Sequence, residues 1–226
     1  DYFNLEDKEE FVPYLWTSSY GLLRFFFFFR KNKIKKNEIE EYIKRVHYVL
    51  GRHSYTNEKL SDIIKYKLEW LKENETDILN VFGKEDPIIG SLRIGKYEQK
   101  NGEEPGIYLH YTTKWIYALS VASKMLDNEI YLFQACNILI TMCEKNIFPG
   151  TDNKYPRKMK QELDKPEQVG EISQDPLDVF INILNLISVL YKNNRSSNDK
   201  LNKVRKIYIK LLVSALEKNI SRIEDY

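Results

Sequence analysis

Strand patterning is nearly absent from this 226-residue chain: no stretch of five or more residues alternates apolar and polar positions with turn chemistry at both ends. Cysteine is scarce as well. Cys136 and Cys143 are the only two, seven apart in an apolar stretch with a helical period. Helical rise sets them roughly 10 Å apart, beyond the ~7 Å Cα limit for a disulfide, so they read as buried free thiols of a reducing compartment, most simply the cytoplasm. The sequons at Asn74, Asn194 and Asn219 speak for secretion, but an Asn-rich chain generates such triplets by chance. Excess charge of one sign is lacking too. With 35 basic against 33 acidic residues, the charge is too near balance to imply a nucleic-acid or membrane-surface partner, and no nucleic-acid partner is expected.

Common catalytic signatures are missing. The chain has no His-Glu-x-x-His, no phosphate-cradling glycine loop, no Gly-x-Ser-x-Gly elbow and no Cys-x-x-Cys, which disfavours zinc hydrolases, P-loop nucleotidases and α/β hydrolases. A His-only metal site would need His47, His53 and His110 all to converge, so neither metal nor cofactor is expected. Long apolar runs are limited to Tyr14–Phe29. Arg24 interrupts that run, it falls short of the ~20 residues a bilayer demands, and a basic cluster from Arg30 to Lys36 follows, so it is not a transmembrane span. Glu6, Asp7, Glu9 and Glu10 precede it, which is wrong for a signal peptide. It reads as a helix apolar on several faces, buried against this chain or against a protein partner covering Phe25–Phe29.

What is present is helical. Ile39, Ile43, Val46 and Leu50 follow an Asn37–Glu40 cap and end at Gly51, which predicts a helix over 37–50. The same spacing predicts helices over 57–73, 112–127, 129–146, 176–192 and 198–223, with caps at Thr112 or Thr113, Asn128 and Asp175. Glycines and prolines crowd 84–110 and 147–175, which are expected to be largely irregular. The expected fold is all-α: residues 1–36 form an N-terminal segment with a buried aromatic helix, and 37–226 form helical hairpins in an incomplete or open αα-toroid.

Five short motifs stand out: Leu50–His53, Ser91–Lys96, Gly106–Trp115, Lys158-Met159 and Gln174–Asp178. In this order they resemble a widespread family of uncharacterised proteins grouped with the six-hairpin glycosidase-like αα-toroids. The resemblance covers roughly residues 43–190. It departs from the family pattern at Ser91 and Val179, where the family has glycine, at Ile107, where it has Gln, and beside Gln174, where a His is missing.

The resemblance implies a carbohydrate bound or hydrolysed in a rim cleft. Asp175 and Asp178 are then the candidate catalytic carboxylates, because glycoside hydrolysis needs a pair of acids roughly 5–10 Å apart across the scissile bond. Tyr108, His110 and Gln174 are candidates for sugar hydroxyls, and Arg93, Lys96 and Lys114 for an anionic group such as a uronate or phosphate. Each has a plainer role: the two Asp as helix caps, His110 as a buried imidazole, the bases as solvated loop residues. The second reading is a non-catalytic helical scaffold, for which the seven or so clear helices, against twelve in a closed six-hairpin toroid, leave apolar edges for another chain.

Overall fold

The computed structural model describes residues 13–82, 89–90, 92–95, 106–144, 156–164, 166–169, 175–192 and 198–223. They are mostly helical. In chain order come α1 (Leu15–Arg30), α2 (Lys36–Leu50), α3 (Leu60–Ile64), a 3-10 turn at Lys65–Lys67 and α4 (Glu69–Phe82). Strand β1 (Gly106–Tyr108) leads into α5 (Leu109–Met125) and α6 (Ile130–Cys143), strands β2 (Pro156–Lys160) and β3 (Pro166–Val169) follow, and α7 (Asp175–Lys192) and α8 (Asp199–Ile223) complete the order. No helix among the described residues is long and apolar enough to cross a membrane.

The core is built on α6, where every residue from Tyr131 to Met142 except Gln134 is buried. It packs on α5, α7 and α8, so the α5/α6 and α7/α8 hairpins lie against each other; α1 packs on α5, α2 on α1, and α4 on α8. The turn between α5 and α6 is tight because Asp127 takes a left-handed conformation (φ 49°) and the Asn128 N–H reaches back to the Ser123 carbonyl. Midway along α6, Tyr208 of α8 donates to the Asn137 side chain, both fully buried.

Four expectations need correcting. The cap of α2 is Lys35–Glu38, not Asn37–Glu40: the Glu38 carboxylate accepts the Lys35 N–H at 2.7 Å. The helix predicted over 57–73 is broken at Leu68, whose extended backbone (φ −87°, ψ 102°) ends the 3-10 turn before α4 restarts at Glu69 and runs on to Phe82. Leu60, Ile64, Leu68 and Leu71 are all buried at helix-like spacing, so periodicity hides the break. Thr112 and Thr113 are not caps but lie inside α5, donating back to the Tyr108 and His110 carbonyls. The stretches expected to be irregular carry a small antiparallel sheet in the order β1-β2-β3, with Gly106 opposite Lys160 and Tyr108 opposite Lys158. Strands of three to five residues are too short to announce themselves by alternation.

Residues Leu92–Gly95 form a strap that ties these parts together. The Arg93 N–H donates to the Leu50 carbonyl at the end of α2, and the Ile94 N–H to the Gly106 carbonyl of β1. The Ile94 carbonyl accepts the Leu15 N–H at the start of α1. Arg93 is only 7% exposed, and its guanidinium donates to the Val49 and Arg52 carbonyls at 2.9 and 2.8 Å, satisfying backbone acceptors that α2 leaves at its C-terminus. Gly95 has φ +77°, and a Cβ there would overlap the Pro13 carbonyl oxygen and the Leu50 side chain. Gly95→Ala is therefore expected to cost at least about 2 kcal/mol through left-handed strain and overlap. Arg93→Met should cost about 1–3 kcal/mol by leaving two part-buried carbonyls without their guanidinium donor. Urea denaturation of both variants checks this; unchanged midpoints would show the strap to be incidental.

Candidate functional site

The strap sets the start of α1 beside the start of α5, and each start is aromatic. Tyr14 and Trp16 flank Leu15; Tyr108, His110 and Tyr111 follow Gly106. Their rings meet. Trp16 lies 5.1 Å from Tyr111 and 5.9 Å from His110, His110 lies 4.1 Å from Tyr111, and Tyr108 stacks on Tyr111 at 5.3 Å. The Tyr14 hydroxyl donates to that of Tyr111 at 3.1 Å. Burial, then that hydrogen bond, raise the Tyr14 phenol above its ordinary range, so it stays a neutral donor. All five side chains are half-buried, which leaves part of each ring available to a ligand.

Two lysines attend the rings: Lys114 Nζ lies 4.9 Å from the Trp16 ring centre and that of the buried Lys158 lies 6.0 Å from the Tyr108 ring centre. Helical spacing carries the surface onward. Along α5, Lys114 and Tyr117 succeed His110 on one face, and along α1, Tyr20 and Leu23 succeed Trp16. These faces, with Ile181 and Asn182 of α7, line an open groove of about 310 Å³, mostly apolar and floored by α5. Trp16 touches both ends of the arrangement, through Tyr20 at 5.9 Å and through Lys114.

Of the residues singled out in the sequence, Tyr108 and His110 thus join the ring cluster with Trp16 and Tyr111, and Lys114 stands between that cluster and the groove. Arg93 is a buried cap for the end of α2, and its neighbour Ile94 is bonded to both aromatic segments. Asp175 and Asp178 fall in the first turn of α7, and position 178 stands one helical turn before 181 and 182 of the groove. Their side chains, and all of Gln174 and Lys96, lie outside the described residues. Sequence reasoning missed Tyr14, Trp16 and Tyr111. The first two were absorbed into an apolar run read as core, although Trp16 and Tyr20, four apart with Ser19 between, already mark a face that differs from the Leu22 and Phe26 side.

Four of the five motifs are contiguous. Leu50–His53 meets the strap through Arg93, the strap meets Gly106, and β1 pairs with β2 at Lys158-Met159. His53 closes the circuit: its Nε2 lies 2.8 Å from Glu162 in the turn after β2, while Gln161 bonds both the Ser54 N–H and the Ser54 hydroxyl. The third histidine, His47, is half-buried and accepts from Trp115 Nε1 at 2.9 Å; loss of solvent around the ring pushes it down to about 3, so it stays neutral. Among the described residues no group of three or more His, Cys, Asp or Glu could hold a metal. Cys136 is buried and Cys143 half-buried, and no disulfide joins them. No family model, curated relative or solved structure matches the chain.

The Glu162 contact makes a pH-dependent tether. Burial alone would raise its carboxyl, but its own backbone N–H, the His53 hydrogen bond and charge, and Lys160 outweigh that and hold it below the usual range. A carboxyl lowered in the folded state stabilises above its unfolded value of about 4.3, and the gain is lost as pH falls through the folded value. Glu162→Gln should therefore lower the urea midpoint at pH 7 and match the wild type near pH 3. An equal deficit at both pH values would show that the carboxylate charge plays no part.

Proposed function

We propose that the chain binds a carbohydrate in the groove between α1, α5 and α7, with the aromatic rim as its platform. The observation that carries this reading is the cluster of the Tyr108, His110, Tyr111, Tyr14 and Trp16 side chains, which adjoins the groove through Tyr20 and Lys114, two groove-lining neighbours of Trp16. A sugar ring is amphipathic: its C–H face suits the face of Trp16 or Tyr111, and its hydroxyls suit the tyrosine hydroxyls and the imidazole. The contiguity of four motifs supports the resemblance to six-hairpin glycosidase-like proteins, and in this reading the hairpins belong to an incomplete αα-toroid.

Hydrolysis would fall to Asp175 and Asp178. The helix terminus that carries them favours the ionised carboxylate, which suits a base or an anchor better than a general acid. Asp178 is accordingly a ligand anchor first and a catalyst second. The competing reading, a scaffold subunit, draws on the exposed Ile181, Leu184 and Tyr191, which follow one another along α7 and offer a partner an apolar ridge.

A glycan array followed by calorimetry on the best oligosaccharide tests the proposal. Trp16→Ala should weaken binding about tenfold or more, and Trp16→Phe should retain most of it. Asp178→Asn should abolish binding with little loss of stability, whereas Asp175→Ala should cost about 1 kcal/mol of helix capping. No glycan bound, or an affinity indifferent to Trp16, would transfer the preference to the scaffold reading, which native mass spectrometry of a hetero-complex would then support.

A further inference from the structure

At the opposite end of α1 from the groove, the corner between α1 and α2 gathers charge of one sign. The chain as a whole is nearly balanced, yet no acid occurs from Phe11 to Asn37, and six bases fall between Arg24 and Lys36. Arg24, Arg30, Lys31, Lys33, Lys35 and Lys36 are all exposed. Lys36 donates to the Leu126 carbonyl at 2.7 Å and helps fix α5 below the corner, so five remain as display charges. At their centre stands Phe27, 61% exposed, whereas Phe26 is buried and Phe25 and Phe29 pack on the core. The protein partner expected over Phe25–Phe29 therefore has the exposed Phe27 and the open parts of Phe25, Phe28 and Phe29 to cover, with Phe26 already buried.

The corner is ordered by backbone geometry. Asn32 takes a left-handed conformation (φ 52°), and the Lys33 N–H returns to the Phe28 carbonyl at 3.0 Å, closing α1 as Asp127 closes α5. The display is thus preorganised. We propose that this corner docks on an anionic lipid leaflet, the bases meeting headgroups and Phe27 entering between them. Interfacial protein segments combine Lys and Arg with large apolar side chains in this way, and clusters of four to eight bases recognise anionic leaflets. The ring geometry separates a membrane from a nucleic acid. Lys31 lies 6.0 Å from the Phe27 ring centre, Arg24 lies 5.5 Å from that of Phe28, and the two rings meet edge-on. Faces occupied by cations are poorly placed for base stacking, while the projecting ring body can still bury itself in hydrocarbon.

Co-sedimentation of the full chain with vesicles tests the proposal independently of the groove. Phosphatidylcholine vesicles carrying about a third phosphatidylserine should bind the protein in low salt and release it as salt rises, and pure phosphatidylcholine vesicles should not bind. Each base replaced, as in Lys31→Gln or Lys33→Gln, should weaken binding roughly fivefold. Phe27→Ser should weaken it roughly tenfold through lost apolar burial, with circular dichroism melts confirming that the exposed substitutions leave the fold intact. Absence of vesicle binding, equal binding to both vesicle types, or indifference to Lys31, Lys33 and Phe27 would overturn it. So would an oligonucleotide binding more tightly than the vesicles with the same dependence on these residues.

Discussion

The strap from Leu92 to Gly95 is the constraint on which the arrangement rests. Three backbone hydrogen bonds and one buried guanidinium join the end of α2, the start of α1 and the first strand. Ile94 is the shared backbone partner of Leu15 and Gly106, and with the packing of α1 on α5 it fixes how the aromatic residues beside each meet. Gly95 makes the junction possible because only a residue without Cβ accepts both its left-handed backbone and the approach of Pro13. Arg93 then caps the carbonyls at the end of α2. It is a positioning residue in this structure, coupled to the groove through the backbone of its neighbour.

Much of the helical core was legible from spacing alone. Ile39, Ile43, Val46 and Leu50 are all buried, as are Trp115, Ile116, Leu119 and Ala122. What escaped was decided by backbone rather than by pattern. Leu68 keeps helical spacing while leaving the helix, and β1 to β3 are too short to show a period. The site was half legible. Tyr108, His110 and Lys114 were drawn from one motif and do converge, but Arg93 looked like a loop cation because its two acceptors lie some forty residues away in sequence. Trp16 was concealed by its own helix, whose other face is core.

Helix α1 illustrates how one segment serves three environments. Leu15, Leu22 and Phe26 join the core, Trp16 joins the ring cluster while Tyr20 faces the groove, and Phe27 stands among bases at the far corner. An apolar composition that would suggest simple burial is thus divided by the helical period into distinct faces. The acid-free stretch around it concentrates positive charge in a chain whose totals nearly cancel, so net charge conceals the patch.

Amide hydrogen exchange, followed residue by residue by NMR, tests the central role of the strap most directly. If Leu92–Gly95 holds the fold together, the Leu15, Arg93 and Ile94 amides should open only with global unfolding. Their exchange free energies would then equal those of Leu119 in α5 and Leu139 in α6. Exchange through a local opening several kcal/mol cheaper than the α5/α6 core would contradict the account, because the two aromatic segments would then be juxtaposed by something other than the strap.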